Sequence, residues 1–447
     1  MDIKNYLPVS ADHFVIMSVS LMAVVIFCYL TGISLIIPFL FFFFGVHLFL
    51  HRGVPTRTFI HLLFLLALLL FGAHLLKSYG MLTNFYLPVS VVPMLTILLF
   101  GQLQIAFLMA FMASVLSGMM LDLTLAETLV FFLGSMAGVY KLRNARMRSG
   151  LLIAGFWVAL VQASSFLLIN PHIDYDNLIN IIKPLVINGF LSSVLVMSTL
   201  KIFETLFGEM TDFTLLELSD TSHPLLKKML IEAPGTYHHS MVVSNLAEAA
   251  ADAIGAHGLL TRVGAYYHDI GKISKPHYFT ENQIMVANKH DALEPSMSRL
   301  VILNHVKEGV ELAQSYRLNQ RIIDFIPQHH GTSLMHYFYQ KAIAENPEEE
   351  LNEGDYRYAG PKPQSKETAL VMLADSAEGA TRAMTDHSPA HIEDIVRKVI
   401  NNKFIDGQLD ECHLTLREIN TTTLTFTRLL SAMYHQRVAY PQEPSSS

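Results

Sequence analysis

The sequence predicts an all-α protein in two parts, a polytopic transmembrane helical bundle followed by an all-helical soluble domain. Three observations carry that expectation. Of 447 residues, 51% are hydrophobic and only 15% charged, outside the balance of an ordinary soluble chain. The apolar excess is uneven: residues 14 to about 206 are nearly devoid of charge, whereas residues 207–447 carry 21 Lys and Arg against 31 Asp and Glu. Beyond residue 235 apolar side chains recur at helical spacing, as in Val242, Leu246, Ala249, Ala250 and Ile254, and no run alternates as a strand would.

Residues 1–206 form the transmembrane domain. Crossing the hydrocarbon core takes roughly 20 apolar residues in a helix. Eight segments qualify, at about 14–31, 33–50, 58–77, 86–101, 103–121, 125–141, 150–170 and 183–206, with the fourth and sixth short. No small-residue cleavage site follows the first, so it reads as a retained helix and not as a signal peptide. Basic residues close to a span favour the cytoplasm. Lys141, Arg143, Arg146 and Arg148 therefore lie inside, the loop 171–182 with Asp174 and Asp176 lies outside, and counting backwards puts Arg52 and Arg57 inside. Both termini are then cytoplasmic.

A coupling segment, residues 207–234, follows. Its Ser219-Asp220 and His223-Pro224 offer capping groups and a proline at a helix start, with Leu225, Leu226, Met229 and Leu230 as an apolar stripe. The soluble domain spans 235–441, and 442–447 form a tail. Its acidity excludes a broad basic face for duplex nucleic acid. Cys28 and Cys412 lie in regions of different environment, which excludes a disulfide framework or a Cys-rich zinc site.

Candidate metal ligands punctuate the soluble domain. His239 opens the stretch Gly235–Lys272 and His268-Asp269 closes it; His305, His329-His330-Gly331 and Asp375 follow, each in or at the end of an apolar-periodic segment. Neutral imidazoles and carboxylates suit Fe, Mn or similar divalent ions, and several helices can point such side chains into one pocket.

The order of histidine, helix, then His268-Asp269-Ile-Gly-Lys272 resembles the HD superfamily of metal-dependent phosphohydrolases. Phe207-Gly208 through Tyr440-Pro441 is more closely similar to the cytoplasmic HD domain of the bacterial seven-transmembrane HD family, the PgpH-type cyclic-di-AMP phosphodiesterases. EAPGTYHHS, RVGAYYHDIGK, HVKEGVELA, IDFIPQHHGT, GPKPQSKETA, MLADSAEGATRA and DGQLDECHLTL carry the likeness, and the last seven spans match the family's. Members usually hold a large extracellular domain between the first span and the next, whereas here the two are joined around Thr31-Gly32. Tyr356 and Ala359 stand where the family more often has Phe and Pro.

The resemblance implies a multi-pass protein of the bacterial cell membrane whose cytoplasmic HD domain hydrolyses cyclic-di-AMP to linear pApA by a metal-activated hydroxide. It implies two divalent transition-metal ions, Fe or Mn: one held by His239, His268, Asp269 and Asp375, the other by Asp269 as a bridge with His305, His329 and His330. Neighbours on a helix diverge by about 100°, so His238 is expected to face away. The same divergence requires His329 and His330 to sit near a helix end, with Gly331 as terminator. Asp269 and Lys272 are the catalytic candidates. Lys272 is close to one turn from Asp269 and either stabilises the oxyanion or leaving group or is a surface lysine. Arg357, Lys362 and Lys366 either meet phosphate or base or belong to a solvated loop, so substrate-binding residues stay unassigned. Partners are the cyclic dinucleotide and the lipid bilayer, with a homodimer open. Competing readings are an HD hydrolase for cyclic-di-GMP or guanosine tetraphosphate, and a non-catalytic nucleotide-binding membrane receptor. The full ligand set weighs against the receptor.

Overall fold

The computed structural model describes residues 43, 45, 54–80, 83–172, 174–283, 289–345 and 351–434. The expected spans at 14–31 and 33–50 lie outside these apart from Phe43 and Gly45, as do Cys28, Arg52 and the tail 442–447. Among the described residues the regular elements are helices, and the only β-pairing is an isolated bridge between Leu334 and Arg357. The chain divides between Phe213 and Thr214 into two compact units.

The first unit holds α1 (Thr56–Tyr79), α2 (Val91–Phe100), α3 (Leu103–Met120), α4 (Leu125–Leu142), α5 (Ser149–Ile169) and α6 (Tyr175–Phe207). Among the described residues five helices, α1, α3, α4, α5 and Leu178–Phe207 within α6, are long and apolar enough to cross a membrane; Asn84–Phe100 is shorter. The expected spans at 58–77, 103–121, 125–141, 150–170 and 183–206 fall on these five, whereas the one at 86–101 falls on the shorter helix. The expected loop 171–182 is cut short, because α6 begins at Tyr175 and runs 33 residues with Pro184 inside it. A helix need not stop at the hydrocarbon edge, and the Asp174 carbonyl accepts the Leu178 N–H at 2.9 Å to close its first turn.

Polar side chains inside this unit satisfy backbone that lipid cannot. Between the 3₁₀ turn Asn84–Tyr86 and α2 the ladder is broken. Asn188 of α6 reaches across, its Nδ2 donating to the Phe85 carbonyl at 3.0 Å and also to that of Leu87. An unpaired carbonyl at membrane depth costs several kcal/mol, on the order of the loss in any water-free medium. At the far end of α6, Gly208 has φ +64°, Arg57 donates to the Phe207 carbonyl at 2.5 Å, and buried Glu204 accepts the Thr211 N–H at 3.0 Å.

The second unit is built around α9 (Pro234–Ile254) and α15 (Lys366–Arg382), which pack on each other and on α10 (Gly258–Tyr267) and α17 (Leu416–Met433). Between these helices run α11 (Pro295–Ser315), α12 (Gln320–Ile323), α13 (Phe325–Gln328), α14 (His336–Glu345) and α16 (Pro389–Ile405). Two shorter helices come first: α7 (Asp212–Leu218), inside which the division falls, and α8 (Pro224–Glu232). Pro224 opens α8 as expected, but Ser219 and Asp220 do not cap it; Asp220 accepts the Ser222 N–H instead. Of its expected stripe, Leu225, Leu226 and Met229 are buried and Leu230 is exposed. On α9 the buried face runs through His239, Val243, Leu246, Ala247, Ala250 and Ala251. Val242, Ala249 and Ile254 of the expected stripe sit at its margin, because α9 is embraced from two sides. The histidine thus belongs to the core-facing side of its helix.

Close approach of α5 and α6 depends on small residues, as is usual for helices in lipid. A Cβ on Gly189 would lie 2.5 Å from the Ala159 nitrogen and 2.6 Å from the Gly155 carbonyl oxygen, backbone atoms that no rotamer change removes. Gly189→Val is therefore expected to destabilise the detergent-solubilised protein by about 1–3 kcal/mol, read as a lowered unfolding midpoint. An unchanged midpoint would show that these helices do not meet here.

Candidate metal centre

Five stretches of chain supply the centre. His239 comes from α9, His268 and Asp269 from the end of α10, His305 from α11, His329 and His330 from the turn after α13, and Asp375 from α15. His239 is buried and His238 exposed, as one residue of helical rotation requires. After α10 a 3₁₀ turn, Ile270–Ser274, carries Asp269 against α11. Gly271 makes that approach possible, since a Cβ there would stand 1.8 Å from the His305 carbonyl oxygen. α13 ends at Gln328 and Gly331 takes φ +54°. The adjacent rings of His329 and His330 are therefore freed from the regular helical divergence, and their centroids are 3.8 Å apart.

All seven expected ligands come together, in two groups. Asp269, His305, His329 and His330 each offer an atom within 4.8 Å of the others, and His239, His268 and Asp375 do the same. Asp269 stands between them. Its Oδ1 is 3.5 Å from Nε2 of both His305 and His329, while its Oδ2 is 3.3 Å from His268 Nε2 and 3.6 Å from His239 Nε2.

The imidazoles are held in one tautomer by their other nitrogen. His268 Nδ1 donates to the Ala265 carbonyl at 2.7 Å, His329 Nδ1 to Ile326 at 2.6 Å, and His305 Nδ1 to Ile302. Each Nδ1–H thus uses a carbonyl one turn back, leaving the Nε2 lone pair aimed at the centre. The Nε2 atoms of His268, His305 and His329, and Asp269 Oδ1, are buried with no hydrogen-bond partner. Buried polar atoms are almost always paired, so a convergent set of unpaired lone pairs fits a divalent cation.

Electrostatics point the same way. Burial opposes the Asp269 carboxylate, but Lys272 and His268 outweigh it and hold its pKa well below the usual range. Burial, reinforced by the Lys272 charge, lowers His305 to about 4, and burial with His329 and His305 keeps His330 neutral as well. Both are ready as ligands. Burial also works against a charged His239, yet hydrogen bonds to Asp375 and Glu378 raise it to about 10. Acceptors that hold a proton there favour a cation at the same nitrogen.

Two carboxylates escaped the sequence reading. Glu378 accepts from His239 Nδ1 at 2.8 Å, a carboxylate–histidine arrangement that orients a ligand. Its signal was the spacing Asp375-x-x-Glu378, one face of one helix. Glu281 holds Lys272 Nζ at 2.8 Å; no local pattern marks it, because it comes from a 3₁₀ turn. Lys272 is no surface lysine: its Nζ also lies 2.7 Å from Asp269 Oδ2, and only 13% of the side chain is exposed. Arg357, Lys362 and Lys366 are not simply solvated, being paired with Asp406 and Glu353, Asp410 and Glu418 respectively.

If Glu378 orients His239 toward an ion, Glu378→Gln should weaken metal binding by about 10–100-fold while leaving the helical fold intact. Metal retained through dialysis against graded chelator measures this. Retention equal to that of the unaltered protein would exclude the role.

The family model for the 7TM receptor with intracellular HD hydrolase matches residues 24–211, and that for the HD domain matches residues 236–380. The cyclic-di-AMP phosphodiesterase PgpH of Listeria monocytogenes serotype 1/2a (strain 10403S) is 42% identical over 365 residues, covering 80% of this chain and 50% of the relative. Its namesake from Bacillus subtilis (strain 168) is 40% identical over 369 residues, covering 80% and 52%. The chain thus spans about half the length of these curated relatives. A crystal structure of the L. monocytogenes PgpH HD domain in complex with cyclic-di-AMP shares 50% identity, covering 48% of this chain and 100% of that one, with a TM-score of 0.47. On the two family models and these identities, the chain belongs to the family of 7TM receptors with an HD hydrolase domain.

Proposed function

We propose that the protein is a membrane-anchored, metal-dependent phosphodiesterase that opens cyclic-di-AMP to linear pApA at the cytoplasmic face of a bacterial cell membrane. The observation that carries this reading is one buried carboxylate, that of Asp269, with one oxygen turned to each of two imidazole groups. That arrangement would hold divalent cations on either side of Asp269, and a mixed imidazole and carboxylate donor set is compatible with Fe or Mn, the ions of this reading. The names of the Listeria and Bacillus relatives support the substrate.

When bound there, such cations lower the pKa of a shared water and neutralise phosphodiester oxygens during in-line attack. Water adds to one phosphorus, the ribose O3′ leaves with a proton, and the ring opens. The chain's own residues set the geometry. His268, His305 and His329 are held by backbone carbonyls, so no rotation is needed as substrate arrives. Asp375 and His330 are the less buried members and mark the side from which a phosphodiester reaches the centre. Lys272 is engaged by two carboxylates, so it acts by keeping Asp269 ionised and in place.

Turnover of cyclic-di-AMP, cyclic-di-GMP and guanosine tetraphosphate by the full chain in detergent tests the substrate; preference for either of the last two would replace it. On the same preparation, Asp269→Asn and His239→Ala should lose metal and on the order of 10³-fold or more in rate, whereas His238→Ala should retain most of both. Equal loss at 238 and 239 would contradict the assignment of His239.

Orientation is read in intact cells from single cysteines at Met147 and His172, both exposed, in a Cys28→Ser, Cys412→Ser background. The basic loop keeps position 147 inside, so an impermeant thiol reagent should label only position 172. Labelling at 147 alone would place the catalytic unit outside the cell and remove its substrate.

A further inference from the structure

A cyclic dinucleotide carries two phosphodiesters, and in the reading above the metal centre engages one. The other keeps its negative charge in a unit that is itself acidic. A cation without a carboxylate of its own is the chemistry that would meet it.

Four other cations of this unit are held by carboxylates. Lys272 lies between Asp269 and Glu281, Arg357 spans both oxygens of Asp406 at 2.8 and 3.2 Å, Lys362 is 3.6 Å from Asp410, and Lys366 is 2.5 Å from Glu418. Lys403, in the last turn of α16, is different. Its Nζ donates to Ser333 Oγ at 2.7 Å, and among the described residues no carboxylate oxygen lies within 4.0 Å of it. Asp406, three residues further on, is the acid that would ordinarily neutralise it, and Arg357 has taken both of its oxygens.

Ser333 fixes where this ammonium stands. Only 5% exposed, it donates its N–H to the His330 carbonyl at 3.1 Å, and its own carbonyl accepts the Tyr358 N–H at 3.1 Å. The Tyr358 ring stacks on His330 at 4.1 Å. Lys403 is therefore anchored to the turn that carries the less buried ligand of its group. Burial lowers its pKa from the ordinary lysine value, opposed first by the charge of Asp375 across the centre.

The geometry points to Lys403 as a substrate-binding residue whose ammonium, held on Ser333 beside His330, pairs with the phosphodiester of the cyclic dinucleotide that is not being cleaved. This rests on the cyclic-dinucleotide reading of the site. A charge-assisted contact is lost when the side chain is shortened or neutralised, and a contact remote from the reacting bond shows in KM more than in kcat.

The test uses the full chain in detergent with two substrates, cyclic-di-AMP and bis(4-nitrophenyl) phosphate, which has a single phosphodiester. Lys403→Met is expected to raise KM for the dinucleotide about 10–100-fold with a smaller change in kcat. Its kcat/KM loss on the aryl diester should be at least about tenfold smaller than that on the dinucleotide, and its metal content should match the unaltered protein. Lys403→Arg, which keeps the charge, should hold KM nearer the original value than Lys403→Met does, and Ser333→Ala should raise it less. Equal losses on both substrates, or metal loss in Lys403→Met and Ser333→Ala alike, would reduce Lys403 to a brace for the His330 turn and overturn the proposal, as would an unchanged KM. Cleavage of the aryl diester but of no cyclic dinucleotide by the unaltered chain would instead reject the substrate reading itself, before any variant is compared.

Discussion

The Asp269 carboxylate is the constraint on which the catalytic unit depends. It is 1% exposed and surrounded by four imidazoles whose near nitrogens lie 3.3–3.6 Å away. Burying a charge is costly unless it is paired. Here the fold supplies Lys272 on one side and leaves the remaining directions to lone pairs, which repel one another unless a cation intervenes. Stability and metal affinity are thereby coupled. The packing around the site serves the same end: Gly271 lets the Asp269 turn close on α11, and α9 and α15 bring His239, Asp375 and Glu378 onto one side.

What the sequence disclosed of this centre follows from chemistry that is local in the chain. The seven candidate ligands sit in short patterns, among them His239 on a core-facing helix, His268-Asp269 at a helix end and His329-His330 before a glycine, and all seven converge in the structure. Glu378 was within reach of the same reasoning, one helical turn after Asp375. Glu281 was not, because its bond to Lys272 joins irregular turns and no periodicity marks a 3₁₀ segment. Lys403 was invisible for a stronger reason: its significance lies in what Arg357 does to Asp406, an arrangement of three residues that only tertiary structure brings together.

The membrane unit divides along a similar line. Helix existence followed from apolar length, so five of the six expected spans from 58 onward were legible, the one at 86–101 falling on a shorter helix. Where α6 begins was not, since a helix that leaves the hydrocarbon can continue through polar residues with no change of period. Nor could the inward faces be read. A helix apolar on all sides gives no contrast between lipid and protein, and the informative positions are the few polar or small ones. Asn188, which completes the broken backbone before α2, and Gly189, which admits α5, are adjacent in sequence yet serve different neighbours. Beyond α6 the chain crosses the division between the two units inside α7, so the covalent link there is helical.

Charge decides how an acidic domain handles an anionic substrate. With 21 basic against 31 acidic residues beyond position 206, this part of the chain repels an anion at long range, although salt screens that effect beyond about 8 Å at physiological ionic strength. Attraction must therefore be short-ranged and local. In the reading proposed above, this need is met by pairing cations such as Arg357, Lys362 and Lys366 with acids and by leaving the Lys403 ammonium on Ser333, beside the turn that carries His330. An excess of surface lysines would have given faster encounter, at the cost of binding any polyanion. A net-acidic unit with an ammonium free of carboxylates beside its candidate site would discriminate instead, because only an anion that reaches the centre meets the charge that the exterior withholds.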